Sequence, residues 1–315
     1  MRHSDTNILN GSDSSSIDDA VSALRGDELV AIPTETVYGL AARASSRMAV
    51  NKIFKVKGRP ANHPLILHIA KTSDLEKWTQ DLSTVARTLV DHYWPGPLTI
   101  VVQRNEKVCD EITGGRNTVA IRCPDHKIAT VLLNRLDDAI VAPSANRFGK
   151  VSPTTAEHVA ADLGDDVKII LDGGECAIGL ESTIIDCTTT PPQLLRVGAI
   201  TVEQIKTECL ITVVSASGES RASGMLDKHY APECEIELFN NRMQAETRRS
   251  ELSQLGTTSE ILDFADDLAL YAHSLYARLR DADKRNIKVV IAVKPPSTGI
   301  GSAINERLKK AANRS

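Results

Sequence analysis

The chain has 315 residues, 42% of them hydrophobic and 25% charged. That is apolar surface enough for a full core and length enough for two domains, so disorder is excluded as the main state. The longest apolar runs, such as 287–293, fall far short of the ~20 residues a membrane-spanning helix needs, and a formal net charge of −4 excludes bulk nucleic-acid packaging while leaving room for a local basic cleft.

Taken in chain order, residues 1–13 are polar, lack the apolar stretch of a secretory signal, and are expected to form a flexible leader. The six cysteines are scattered without any C-x-x-C pair, so they read as reduced, mostly buried thiols of a cytoplasmic protein. From about residue 17 to 200, short apolar runs alternate with longer amphipathic stretches. Strands are predicted at 28–33, 64–69, 98–103, 118–122, 139–143, 167–171 and 182–186, each β-branched and bounded by Gly, Pro or Asp. Helices are predicted at 17–25, 46–57, 73–92, 125–136 and 154–163, the last opened by the hydroxyl-rich Ser152-Pro153-Thr154-Thr155. The alternation predicts an α/β domain over residues 14–206, a twisted sheet flanked by helices, with breaks too irregular for an all-parallel arrangement. Residues 207–234 are Ser/Ala/Gly-rich in their middle and read as an interdomain linker. A second, small α/β domain follows over 235–315, with strands at 235–239 and 287–293 and helices at 241–254, 262–283 and 302–313.

No phosphate-loop, zinc-protease or nucleophile-elbow signature occurs. The segment Gly299-Ile300-Gly301-Ser302-Ala303-Ile304 imitates a dinucleotide fingerprint, but its third glycine is Ile304, and a turn with a helix start is the simpler reading. Three other loops carry chemistry. Thr34, Glu35 and Thr36 follow a buried strand; Lys55, Lys57, Arg59 and His63 crowd into nine residues; Ser144 and Asn146 leave strand 139–143 together. Each is read as sitting after a strand end, where α/β folds bind ligands. Basic side chains beside hydroxyl and amide groups suit a triphosphate, which needs charge neutralisation and directional hydrogen bonds.

The ordered succession PTETVYGL (33–40), KGRP then HPLILHI (57–69), WPGPLT (94–99), VAIRCP (119–124), APSAN (142–146), GLESTIID (179–186) and LLRVGAIT (194–201) resembles the threonylcarbamoyl-AMP synthase family over about residues 17–205. The segment GMLDKHYAP (224–232) and the second domain resemble its longer, two-domain members. The resemblance implies a YrdC-like catalytic domain with a small Rossmann-like α/β domain, and formation of threonylcarbamoyl-adenylate and pyrophosphate from L-threonine, bicarbonate and ATP. It also implies Mg²⁺ bound through the ATP phosphates with no separate metal site, a tRNA-modifying transferase complex that receives the adenylate, and a weak tRNA contact. Carried over position by position, ATP would meet Lys57, Arg59, His63, Thr118, Ser144, Asn146, Ser152 and Arg196, with Lys57 and Arg59 catalytic. L-threonine would meet Thr36, His68, Arg122, the backbone at Ala142, and Ser182. Longer members carry an aromatic residue shortly before H-Y-A-P; Leu226 and Asp227 stand there, so Tyr230 becomes the linker contact, with His229 the alternative.

The chemistry agrees with that resemblance. A carbamate already carries a negative oxygen, so its attack on the α-phosphorus needs alignment and relief of anion repulsion more than a base. Lys57 and Arg59 suit the phosphates, and Arg122 has the fork geometry for an amino-acid carboxylate, although a strand-end salt bridge is its competing role. His68 lies on an apolar strand, where a core histidine is almost as natural as a ligand. Two other functions fit less well. An RNA-binding module conflicts with 3% aromatic residues and an acidic balance. A carbamoyl transferase of hydrogenase maturation would carry zinc-finger and acylphosphatase segments that this chain lacks.

Overall fold

The computed structural model describes residues 7–216 and 231–313. In chain order the first unit begins with β1 (Ile8–Asn10), α1 (Ser14–Arg25), β2 (Val30–Ile32), β3 (Gly39–Arg43), α2 (Arg47–Lys57) and β4 (Ile66–His68). It continues with α3 (Thr84–Tyr93), β5 (Leu98–Gln103), α4 (Asp110–Thr113), β6 (Thr118–Arg122), α5 (Lys127–Leu136), β7 (Ile140–Val141) and α6 (Ala156–Leu163). It closes with β8 (Ile169–Asp172), β9 (Thr183–Asp186), β10 (Gln193–Arg196), α7 (Val202–Cys209) and β11 (Val214–Ser215). The second unit holds β12 (Glu235–Phe239), α8 (Arg242–Gln254), β13 (Ser259–Leu262), α9 (Leu268–Lys284), β14 (Val289–Val293) and α10 (Ile300–Ala312).

The first unit is one mixed sheet in the order β1-β8-β2-β3-β7-β4-β6-β5-β9-β10-β11. Its β1–β7 half is covered on both faces. The apolar stripe of α1 (Ile17, Val21, Leu24) and that of α5 (Ile128, Leu132, Leu136) pack on Val30, Ile32 and Leu171, while the main core lies on the other side. Across β4, β6, β5 and β9 the inner face is sealed by Leu67, Val119, Ile121, Ile100 and Ile185 against α2, α3 and α6. Successive strand residues face opposite ways, so the outer face carries His68, Thr118, Arg122, Thr99 and Ser182 around a small apolar patch of Ile66, Val101, Ala120, Ile184 and Leu195. Polar residues on an otherwise apolar sheet mark this face as the working surface.

The second unit is a parallel sheet in the order β12-β14-β13. Val289, Ile291 and Val293 pack on α8 through Ala245 and Leu252. Val290 and Ala292 face α9 and α10 on the opposite side. The two units share a core: Val37, Val151 and Leu180 of the first pack with Tyr271, Leu275 and Leu279 of the second. Gly179, at φ +78°, lies so close to α9 that a Cβ there would sit 2.5 Å from the His273 carbonyl oxygen. Arg280 forms a fork with Asp162 (Nη1 to Oδ1 3.0 Å). Glu181 is held at Oε2 by Arg307 (3.0 Å) and by the Tyr276 hydroxyl (2.8 Å), and at Oε1 by Ser152 (2.6 Å).

Several expected elements change. Inside the expected leader, Ile8–Asn10 form an edge strand parallel to β8, because Ile8 packs against the core. The expected helix 73–92 is a 3₁₀ turn at Thr72–Lys77 followed by α3, whose start is set by Ser83 accepting from the Ala86 amide. The expected helix 262–283 hides the end of β13 and starts anew where Asp267 caps Leu270. β3 escapes a sequence reading because Gly-Leu-Ala-Ala-Arg lacks β-branched residues. The beginning of the expected linker is structured too, as α7 ends at Cys209 and β11 extends the catalytic sheet. All six cysteines are free thiols, and burial raises those of Cys123, Cys176 and Cys187 to about 12. No helix among the described residues is long and apolar enough to cross a membrane.

Candidate active site

The basic loop is not the end of a strand, as expected, but the end of a helix. Lys57 is the last residue of α2, Gly58 caps it in the left-handed region (φ 64°), and the Arg59 amide returns to the Phe54 carbonyl at 3.0 Å. This turn sends Lys57 inward and Arg59 toward the rim. Lys57 is 3% exposed, and its Nζ donates to the Ser144 carbonyl at 2.6 Å, to the Asn146 carbonyl, and to Asn146 Oδ1 at 3.4 Å. The K-x-R and S-x-N motifs are thus one unit, tied through a single ammonium. Burial, then the neighbouring Arg59 charge, push Lys57 well below the ordinary lysine value. Asn146 spends its amide on the Arg147 and Lys150 carbonyls (3.0 and 2.7 Å), which rigidifies the loop. Arg59 donates to the Pro64 carbonyl at 3.0 Å and lies 5.9 Å from the centre of the Phe148 ring. His63 meets the same ring at 5.6 Å; burial and the Arg59 charge lower its pKa.

Arg122 is the hub of the other end. Its Nη1 donates to Thr36 Oγ1 at 2.8 Å, its Nε to the Gly96 carbonyl at 3.3 Å, and its Nη2 stands 2.7 Å from Glu35 Oε1. The salt bridge weighed against ligand binding is therefore present, and it leaves the guanidinium oriented from two sides. His68 pairs with Arg122 across β4 and β6. Its Nδ1 is 3.1 Å from the Ile66 carbonyl, which only accepts, so Nδ1 carries the proton and Nε2 is an acceptor. Burial, then Arg122, lower its pKa to about 3. Ser182 closes this end: its Oγ lies 2.7 Å from Thr99 Oγ1 and accepts from Arg196 Nη2 at 2.9 Å.

Register separates the two groups. In the β4–β6 pair, His68 and Arg122 share a rung, while Ala120 pairs with Ile66. Thr118 stands one further step toward the side where Pro64, Arg59, Ser144 and Asn146 gather. At ~3.3 Å per residue, the Thr118 and Arg122 ends of β6 are about 13 Å apart. One end collects lysine, arginine and amide groups; the other collects two guanidinium groups, Arg122 and Arg196, with a neutral histidine and hydroxyls. Two expected residues stand differently. Ser152, fully buried, gives its hydroxyl to Glu181 in the interdomain network, and Ala142 uses its amide on the Ile66 carbonyl at 3.1 Å. Tyr230 lies outside the described residues. Ala216 packs on the apolar patch, and the Ala231 amide donates to the Gly149 carbonyl at 2.8 Å.

Comparison with known proteins decides what this face belongs to. Residues 22–198 match the family described as telomere recombination (the Sua5/YciO/YrdC group), and residues 200–313 match the family described as the C-terminal domain of threonylcarbamoyl-AMP synthase. Threonylcarbamoyl-AMP synthases of Pyrococcus abyssi and Bacillus subtilis are each 40% identical, over 93% of this chain and 92% of theirs. The chain belongs to the threonylcarbamoyl-AMP synthase family. The crystal structure of P. abyssi Sua5 complexed with L-threonine superposes with a TM-score of 0.89 at 38% identity, covering 94% of both chains.

As a two-domain threonylcarbamoyl-AMP synthase, the chain is a nucleotidyltransferase that uses ATP and L-threonine. Set against that family's activity, sequence reasoning missed Thr99 and undervalued Glu35. Thr99 is one of many strand threonines, and only the β5–β9 register brings it to Ser182. Glu35 was visible beside Thr36, but nothing in the sequence joins it to Arg122, 87 positions away. The interdomain role of Glu181 was equally hidden.

Proposed function

We propose that the polar face of the sheet holds L-threonine at its Arg122 end and ATP at its Lys57 end, with the carbamate forming between them. What supports this most is the separation of the two polar groups along β6, a span that suits an amino acid laid against a nucleotide. Arg122, fixed by Glu35 and Thr36, takes the threonine carboxylate. Neutral His68 offers Nε2 as an acceptor for the threonine ammonium or hydroxyl, and Thr36 and Ser182 supply hydroxyls. A hydroxyl-matching site discriminates strongly against valine, which would leave these buried groups unpaired.

The amine and bicarbonate condense to a carbamate with loss of water. A carbamate oxygen then forms its bond to the α-phosphorus as the bond to the β-phosphate oxygen breaks, releasing pyrophosphate. Arg59 with His63 and Thr118 lines the nucleotide, Arg196, expected there, reaches its phosphates from the Ser182 end, and Lys57 acts mainly by holding Ser144 and Asn146 in place while adding positive charge. Mg²⁺ enters with ATP as part of the substrate, held by phosphate oxygens and water; among the described residues no group of three His, Cys, Asp or Glu side chains forms a cage for it. The adenylate passes to a cytoplasmic transferase complex that modifies tRNA, with a weak tRNA contact of this chain assisting delivery. The catalytic domain of this reading is residues 14–206 and the small domain 235–315, joined by a linker over 207–234.

The test is pyrophosphate release by the purified chain with L-threonine, bicarbonate or ATP omitted in turn, alongside Lys57→Ala and Arg59→Ala. Release that needs all three substrates and collapses in both variants is expected. Release indifferent to threonine or bicarbonate would overturn the arrangement.

A further inference from the structure

A crevice of about 650 Å³ opens in the second domain, at the carboxyl ends of β12, β13 and β14. Its position is dictated by topology. The chain leaves β12 through α8 on one face of the sheet and leaves β14 through α10 on the other. The two loops therefore diverge, and a cleft remains between neighbouring strand ends, the place where open parallel sheets bind ligands. The crevice lies in a different domain and on a different sheet from the face carrying Lys57 and Arg122.

Its lining is cationic with an apolar wall. Lys294 follows β14, Lys309 projects from α10, and Arg242 opens α8. Lys294 is half-buried, and neither lysine has an ion-pair partner among the described residues. The two acidic groups here are Asp263, 3.6 Å from Arg242 and bound to the Ala265 amide at 3.2 Å, and the exposed Asp266. Among the described residues neither ammonium is neutralised by a carboxylate, so an anion entering the crevice meets uncompensated positive charge. The wall is formed by Val293, Pro295 and Pro296. Asn305, 7% exposed, lines the crevice; its Nδ2 donates to the Pro295 carbonyl at 2.9 Å, while its buried Oδ1 has no hydrogen-bond partner. An orphaned buried acceptor costs free energy that a donor on a ligand would recover.

We propose that this crevice is a second ligand site, taking a nucleotide: a phosphate group between Lys294, Lys309 and Arg242, an apolar face on the prolines, and an N–H or O–H donated to Asn305. The site does not work as a dinucleotide fingerprint. A Cβ at Gly301 would lie 2.1 Å from the Pro296 carbonyl, so that glycine serves close packing of α10 on its own loop, and side-chain cations hold the phosphate instead. The volume lies within the range of small-ligand sites.

Equilibrium dialysis of the full chain against labelled ATP, AMP and pyrophosphate tests the assignment, with Lys294→Ala/Lys309→Ala as the variant and circular dichroism to verify its fold. Two equivalents of ATP or AMP per chain are expected, falling to one in the variant, with the second site weakened at least tenfold. Pyrophosphate release by the variant stays unchanged, because neither lysine belongs to the catalytic face. One equivalent in both proteins, two in both, a loss of pyrophosphate release, or pyrophosphate filling the crevice as tightly as the nucleotides would each overturn the proposal. Lys57→Ala in the same dialysis keeps failure here distinct from failure of the catalytic reading, since it removes the other equivalent.

Discussion

Arg307→Met is the most informative single perturbation of the fold. The Arg307 side chain is fully buried and its partner Glu181 is 8% exposed, so the variant strands a carboxylate in the interface between the two domains. Breaking a buried pair from one side costs about 3–5 kcal/mol. Ser152 and Tyr276 still donate to Glu181, which places the loss near the lower end, about 3 kcal/mol and a fall of roughly 6–10 °C in Tm. Glu181→Gln added to Arg307→Met removes the stranded charge, keeps an acceptor for one hydroxyl and offers an amide donor to the oxygen of the other, and should recover most of the loss. Because Glu181 precedes Ser182, the single variant should also raise KM for L-threonine by about tenfold with a smaller effect on ATP. The assay is thermal unfolding followed by near-ultraviolet circular dichroism, with pyrophosphate release on the same samples. A single variant within about 1 kcal/mol of the parent, or a double variant no more stable than the single, would refute the reasoning.

Other outcomes follow from the same geometry. Arg122→Lys replaces a fork that reaches Glu35 and Thr36 together, so KM for L-threonine should rise roughly tenfold or more, with KM for ATP nearly constant; equal rises in both would count against the threonine assignment. His68 has a folded pKa of about 3 against an ordinary 6.5. The unfolded chain therefore takes up the proton first, and stability present above pH 6.5 is lost as pH falls toward 3. At pH 4 the loss from this group is about 3 kcal/mol, so His68→Gln should flatten the Tm-against-pH curve between those limits; an unchanged slope would remove His68 as its source. Gly179→Ala forces a Cβ to 2.5 Å from the His273 carbonyl at a positive φ, and should destabilise by about 3 kcal/mol or more in chemical denaturation; a neutral effect would mean that the two units do not pack this closely.

The long, strongly patterned elements were legible in the sequence. The stripes of α1, α2 and α5 and the β-branched runs of β5 and β6 declared themselves because local pattern and burial agree there. β3 did not, since its alanines gain strand character only from the neighbours that cover them. The site shows the same division. Lys57, Arg59, Ser144 and Asn146 were each visible, yet the fact that the Lys57 ammonium ties down Ser144 and Asn146 depends on contacts spanning 87 and 89 positions. Arg122 was visible as a fork, but Glu35 and Thr36 became its partners only through packing.

The second domain's role rests on a bond that neither half of the sequence displays. Glu181 sits in a motif that reads as part of the catalytic domain, and a buried carboxylate there needs a cation. None of the basic residues of the catalytic face supplies it: Arg122 is bound to Glu35, and Arg196 donates to Ser182. The cation is Arg307, 126 positions onward on α10, and it reaches back to the Val197 carbonyl as well, at 2.9 Å. The loop that carries Ser182 is therefore clamped by the second domain, with Ser152 drawn into the same network. Removing that domain would strip Glu181 of both Arg307 and Tyr276 directly beside Ser182. The second domain thus supports the face that carries Ser182 through α10, the helix whose Asn305 and Lys309 line that domain's own crevice.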